Sequence, residues 1–266
     1  MIDAIRQLLR PKAAQNRPAI PAGERVYAIG DVHGRLDLLT ALRDAIEQDD
    51  VKRGAAQTTI VLLGDLLDRG PDSAGVIALA RAWGERRTVR YLLGNHEEMF
   101  LLSQNKQEHL RNFLRYGGRE TILSYGVDHR AFQLADLAEA QVMMCEAVPD
   151  DDIRFIESFE DCVVIGDYAF VHAGIDPAAP RAGQRRQDLR WIREPFLSHS
   201  GDHGHVIVHG HTISDNPEVR RNRIGIDTGA YATGRLTALG LEGTTRWLIE
   251  AREDENGAIE THSVSI

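Results

Sequence analysis

Residues 25–34 read Arg-Val-Tyr-Ala-Ile-Gly-Asp-Val-His-Gly, and residues 59–70 read Thr-Ile-Val-Leu-Leu-Gly-Asp-Leu-Leu-Asp-Arg-Gly. Each is a short aliphatic run that stops at a glycine and opens into a polar cluster. Val89–Leu93 does the same before Gly94-Asn95-His96-Glu97, Tyr168–Val171 before His172-Ala173-Gly174, and Val206–Val208 before His209-Gly210-His211-Thr212. Short apolar runs bounded in this way read as buried strands. Between the first three, Leu36–Gln48 and Ala74–Trp83 carry helical spacing. Strand–helix–strand alternation predicts an α/β fold whose sheet is at least partly parallel. Ligands of such sheets collect outside the carboxyl ends of the strands. Every polar cluster sits at that end of its strand, so the clusters are expected to converge in space.

Residues 98–160 read as a helical insertion, broken at Gly117-Gly118 and placed to overhang the strand ends. Within it, Pro149-Asp150-Asp151 reads as the acidic start of a helix bearing Ile153 and Ile156. Arg223–Asp227, Leu236–Leu241 and Thr245–Ala251 read as further strands joined by tight turns. Ile2, Ile5, Leu8 and Leu9 suggest a short amphipathic helix ended by Pro11. No repeat or linker divides the chain, and residues 1–266 read as one domain.

The formal net charge of −9 lacks the basic balance that duplex-binding proteins usually show. No window approaches the roughly 18 uninterrupted apolar residues of a membrane helix, and the first residues have no apolar core long enough for a secretory signal. Two cysteines, Cys145 and Cys162, are too few for a disulfide framework. The expected location is cytoplasmic, with neither a nucleic acid duplex nor a membrane as partner.

The clusters together offer Asp31, His33, Asp65, Asn95, His172 and His211, with Asp68, Arg69 and His96 beside them. Carboxylate, imidazole and amide oxygen form a mixed set suited to Mn²⁺, Fe or Zn²⁺ rather than to Ca²⁺ alone. Asp31 and His33, two apart in a turning segment, can face one ion, and an aspartate such as Asp65 can bridge two. Two ions about 3.5–4 Å apart would clamp a phosphoryl group and lower the pKa of the water between them. Neither cysteine begins a Cys-x₅-Arg pattern, because Asp151 and Tyr168 stand at the sixth position after Cys145 and Cys162. No Walker loop is present, which argues against a kinase. His109, His129, His199, His203 and His205 fall in polar stretches and read as solvated. His209 reads as a packing residue behind the centre, and Asp227-Thr228-Gly229 as a turn near it.

Gly-Asp-Val-His-Gly (30–34), Gly-Asp-Leu-Leu-Asp-Arg-Gly (64–70) and Gly-Asn-His-Glu (94–97) resemble, in order and spacing, the three signature motifs of the phosphoprotein phosphatases. That family belongs to the calcineurin-like metallophosphoesterases. With His-Ala-Gly (172–174) and Gly-His-Thr (210–212) the resemblance spans roughly residues 25 to 240. It implies a β-sandwich flanked by helices, with the helical insertion after the third motif. It also implies that Asp31 and His33 hold one metal, that Asp65 bridges, and that Asn95, His172 and His211 hold the second. His96 would be the general acid, oriented by Asp68, with Arg69 and Asn95 on the phosphate oxygens. Leu189-Arg190-Trp191-Ile192-Arg193-Glu194 resembles a Trp-x-Arg segment of bacterial members and nominates Arg193 as a second phosphate-binding residue, with Arg190 behind it. Bacterial members commonly use Mn²⁺.

The resemblance implies a serine/threonine protein phosphatase, tyrosine phosphate included, acting on a phosphoprotein or phosphopeptide. The competing expectation is a nucleotide substrate, as in the bacterial diadenosine tetraphosphatases that share the site. In those enzymes the third motif ends in aspartate and the second lacks the aspartate before Arg-Gly, so Glu97 and Asp68 favour the first expectation. An inactive binding module on the same fold is disfavoured by the complete set of site residues.

Overall fold

The computed structural model describes residues 17–180 and 183–266; the amphipathic stretch expected near Ile2–Leu9 lies outside them. Strands β1 (Glu24–Ile29), β2 (Gln57–Leu62) and β3 (Thr88–Tyr91) are joined by helices α1 (Leu36–Arg53) and α2 (Ser73–Gly84). The three strands pair in parallel, Val26 against Thr59 and Ile60 against Val89. Helical residues 3.6 apart present one apolar face, and α1 buries Leu38, Leu39, Leu42 and Ile46 against the sheet.

From residue 95 to 157 the chain is almost wholly helical: α3 (Asn95–Ser103), α4 (Gln107–Phe113), a π-turn over Leu114–Gly118, α5 (Arg119–Ser124), α6 (His129–Leu134), α7 (Leu137–Ala147) and α8 (Asp150–Glu157). The break read at Gly117-Gly118 is this π-turn, where Gly117 takes φ 110°. Helix α8 starts from Pro149 without a side-chain cap. Its three aspartates instead sit in the first turn, where the helix dipole favours negative charge.

Strands β4 (Cys162–Ile165) and β5 (Tyr168–Val171), helix α9 (Arg186–Trp191), strands β6 (Val206–His209), β7 (Glu218–Val219) and β8 (Arg223–Gly225) follow. Helix α10 (Ala230–Thr233) precedes strands β9 (Arg235–Glu242), β10 (Thr245–Glu253) and β11 (Ile259–Ser265). One sheet has the order β11-β10-β9-β1-β2-β3 and the other β4-β5-β6-β8-β7. Strand β8 stops two residues short of the expected Asp227, although the Ile226 N–H still donates to the His209 carbonyl at 3.0 Å.

Alternation of side chains along each strand divides the core. Val26, Ala28, Val61, Leu239 and Leu241 of the first sheet meet Tyr168, Phe170, Val206 and Val208 of the second. Tyr27, Ile29, Ile60, Leu62, Trp247 and Ile249 face the helices instead. The result is a sandwich with helices on the outside of the first sheet, as the resemblance implied. Among the described residues no helix is long and apolar enough to cross a membrane.

Asp49 ties this helical layer to the sheet. Its Oδ2 accepts from the buried Tyr27 hydroxyl at 2.7 Å and the buried Trp247 Nε1–H at 2.9 Å. Removing the acceptor leaves two enclosed donors without partners, each at a cost of about 1–3 kcal/mol. Asp49→Ala is therefore expected to lower the unfolding free energy by about 2–4 kcal/mol in urea titrations, and Asp49→Asn, which keeps an acceptor, by much less. Equal losses in the two variants would contradict this account.

Candidate metal centre

The expected clusters leave the carboxyl ends of their strands and meet. Asp31 and His33 follow β1, Asp65 follows β2, and Asn95 and His96 open α3 just after β3. His172 follows β5 and His211 follows β6, so the second sheet supplies the other wall. Among the described non-glycine residues, φ is positive at His33, Asp65, Asp68, Arg69 and His211. Such conformations cost on the order of 1–3 kcal/mol each and collect where side chains must be aimed at a site. All five belong to this one.

Two motif glycines are required by contact distance. A Cβ at Gly94 would lie 2.1 Å from Asp65 Oδ1, and one at Gly210 would lie 2.0 Å from Asp31 Oδ1. The buried Glu97 carboxylate sets the turn itself. It accepts from the backbone N–H of Gly94 at 2.9 Å, Asp65 at 2.8 Å and Leu66 at 2.7 Å. Burial and the neighbouring Asp65 push Glu97 up to about 7, with the N–H donors working against that rise. In the sequence Glu97 ends a motif and bears on the choice between substrate classes; its anchoring of the Asp65 turn appears in the structure alone.

Asp65 stands between two groups of donors. Its Oδ1 lies 3.3 Å from His172 Nε2, and its Oδ2 lies 3.6 Å from His33 Nε2 and 3.9 Å from His96 Nε2. The ligand atoms of His33, Asp65 and His96 lie within 4.8 Å of one another, as do those of Asp65, His172 and His211. Asn95 Oδ1 is 3.0 Å from His172 Nε2. Asp31 accepts from the His211 backbone N–H at 3.0 Å, and Asp227 lies close enough to raise its pKa.

The imidazoles are oriented for a cation. Nδ1 of His33 lies 2.8 Å from the Leu67 carbonyl, and Nδ1 of His172 lies 2.8 Å from the Leu63 carbonyl. A carbonyl only accepts, so each Nδ1 carries a proton and each ring turns its Nε2 inward toward Asp65. His211 Nε2 is buried with no hydrogen-bond partner among the described residues. Imidazole nitrogens and carboxylate oxygens converging in a buried place fit divalent cations, for which they are ligands and, in the carboxylates, countercharge.

The buried carboxylates and imidazoles shift one another's protonation. Burial pushes Asp65 up, but His172 and His96 outweigh it and hold the carboxyl well below the usual range. Burial opposes charge on His172, while Asp65 overcomes it and raises the ring to about 10. Burial and the nearby His172 depress His211 to about 3. Burial, then Asp227, raises Asp31 well above the ordinary value.

Beside this centre, Asp68 Oδ2 lies 2.6 Å from His96 Nδ1, both side chains being buried. Burial works against charge on His96, but Asp65 and Asp68 raise its pKa above the ordinary value. Arg69 donates from its two terminal nitrogens to Nε2 of His33 and of His96, each at 2.9 Å. Its guanidinium lies 4.7 Å from the ring centre of Tyr231, a half-exposed residue whose ring also packs 5.3 Å from His33.

The two arginine candidates part company. Arg190 is held by Glu98 at 2.6 Å and Asp161 at 2.6 Å. Arg193 is exposed, makes no side-chain hydrogen bond or ion pair among the described residues, and lies near enough to His211 to lower its pKa. His209 turns away from the centre, its Nε2 accepting from Arg223 at 3.2 Å and its ring packing 5.0 Å from Phe196. His199 and His203, expected to be solvated, are half-buried with their rings 5.0 Å apart, because the loop around them folds back onto Phe196. Tyr231 stands outside the sequence motifs, although it follows the Asp227-Thr228-Gly229 turn just as other site residues follow their strands.

Comparison with known proteins agrees with this geometry. The chain is 29% identical over 241 residues to serine/threonine-protein phosphatase 1 of Salmonella typhimurium, covering 86% of this chain and 98% of that protein. It is also 29% identical over 230 residues to the asymmetrical bis(5'-nucleosyl)-tetraphosphatase PrpE of Bacillus velezensis, covering 79% of this chain and 86% of that one. A solved structure described as a putative diadenosine tetraphosphatase superposes with a TM-score of 0.58 at 20% identity, over 94% of this chain and 98% of the other, a likeness of fold. The sequence profile of the calcineurin-like phosphoesterases matches residues 24–236. With that match laid over a buried cluster built to receive cations, the chain belongs to the calcineurin-like phosphoesterase family and is a metal-dependent phosphoester hydrolase.

Proposed function

We propose that the chain hydrolyses phosphate monoesters on protein side chains, serine and threonine first and tyrosine as well. The observation that carries this reading is the buried Asp68–His96 contact of 2.6 Å. A serine alkoxide is a poor leaving group and needs a proton as the P–O bond breaks. A nucleotide leaving from a polyphosphate departs as a stable phosphate anion and needs it far less. An oriented, charged imidazole is therefore built for the ester of an alcohol.

In this reading Asp31 and His33 hold one divalent ion, Asn95, His172 and His211 hold the other, and Asp65 contributes to both. Mn²⁺ is the proposed metal, with Fe and Zn²⁺ compatible with the same donors. When bound, the ion pair supplies an activated water and positive charge over the phosphoryl oxygens. Arg69 and Asn95 bind those oxygens, and Arg193 approaches from the open side near His211. A phosphate oxygen between Arg69 and His96 takes up the guanidinium N–H groups. His96 Nε2 is then free to carry the proton that Asp65 and Asp68 favour. Asp68 accepts from Nδ1–H and keeps Nε2 aimed at the ester oxygen, which receives the proton as it leaves.

The relative named as a tetraphosphatase supports a second reading, cleavage of a dinucleoside polyphosphate. The deciding experiment compares Mn²⁺-supported turnover of a phosphoserine peptide with that of diadenosine tetraphosphate. The expected result is a higher kcat/KM for the peptide. Preference for the dinucleotide would exchange the two readings.

A further inference from the structure

The segment Gly117-Gly118-Arg119-Glu120-Thr121 lies in the helical insertion, yet it touches the second motif directly. The Thr121 hydroxyl is fully buried and lies 2.6 Å from Asp68 Oδ1, to which it donates. Its oxygen accepts from the Asp68 backbone N–H at 2.9 Å. The single hydroxyl proton is then in use, so Ser73, 3.0 Å away, is the donor in its contact with Thr121. Four residues earlier, the Gly117 carbonyl accepts from the Arg69 backbone N–H at 3.1 Å. Gly117 has φ 110°, and a Cβ there would lie 2.7 Å from Arg69 Cγ. The insertion thus grips two consecutive residues, Asp68 and Arg69, both in the left-handed region with φ of 73° and 70°.

We infer that Thr121 is a positioning residue for proton donation, which it governs through Asp68. One carboxylate oxygen of Asp68 is taken by Thr121 and the other by His96 Nδ1, so the carboxylate has no freedom to rotate. Thr121 thereby fixes the line along which His96 Nε2 meets the ester oxygen. Hydrogen bonds coupled in series through one buried carboxylate reinforce one another, and loss of the outer member loosens the inner one. The inference rests on His96 acting as the proton donor.

The test is the ratio of turnover on an alkyl phosphate, a phosphoserine peptide, to turnover on p-nitrophenyl phosphate, whose leaving group needs no proton. Both are measured on one sample of Mn²⁺-loaded protein, so the ratio does not depend on the folded fraction. His96→Asn serves as the reference for loss of the proton donor. Thr121→Val is expected to lower the ratio about tenfold or more, in the same direction as His96→Asn, and Thr121→Ser is expected to restore it. In metal-free protein the downfield His96 Nδ1–H resonance, assigned by its absence in His96→Asn, is expected to shift or broaden in Thr121→Val and to persist in Thr121→Ser. If His96→Asn lowers the ratio while Thr121→Val leaves either the ratio or the resonance unchanged, the positioning role is overturned and the proton donor stands. If neither variant changes the ratio, both are overturned.

Discussion

Asparagine in place of Asp65 is expected to yield a folded protein that retains neither metal ion, with kcat on either substrate class lowered on the order of 10³-fold or more. The argument lies in the two oxygens. Oδ1 faces His172 and Oδ2 faces His33 and His96, so the carboxylate presents one oxygen to each group of donors. Asparagine keeps an oxygen where Oδ1 accepts from the His96 backbone N–H at 3.0 Å, which preserves the start of α3. It also tolerates the φ of 51° at this position, since its short side chain visits the left-handed region readily. The other oxygen becomes an NH₂ group that repels a cation. Elemental analysis of the purified variant decides the matter, and two ions per chain would contradict a bridging Asp65.

Replacement of His96 by alanine is expected to act differently. Both ions should remain, while turnover of a phosphoserine peptide falls by about 10²–10⁴. Turnover of p-nitrophenyl phosphate should fall far less, because its leaving group departs unprotonated. The geometry makes the metal content as informative as the rate, since His96 Nε2 also falls within ligand range of His33 and Asp65. Loss of one ion from His96→Ala would make the residue a ligand. Retention of both, with a selective loss on the alkyl ester, is the outcome that its pairing with Asp68 leads us to expect.

Much of this centre is legible in the sequence because its residues follow strands. Asp31, Asp65, Asn95, His172 and His211 each stand within a few residues of an apolar run, and strand ends on one side of a sheet must come together. Strand β11 carries little sequence signal, since Ile259–Ser265 is an exposed edge with little apolar alternation. Strand β4 is hard to read from sequence because only four residues form it, two of them Cys162 and the exposed Val164. Thr121 was invisible for a different reason. Its partner Asp68 lies 53 positions away, and a threonine inside a helical stretch carries no local mark of a distant carboxylate. The Trp-x-Arg resemblance favours Arg193 over Arg190, and the placement of Glu98 and Asp161 separates the engaged Arg190 from the available Arg193 in the structure.

Because the first sheet contributes Asp31, His33, Asp65 and Asn95 while the second contributes His172 and His211, cations held by this set would rivet the two halves of the sandwich at one rim. Their binding free energy would then add to the cohesion of the fold. A chelator would do more than silence the enzyme: it would unpin that rim, where the adverse backbone angles are concentrated.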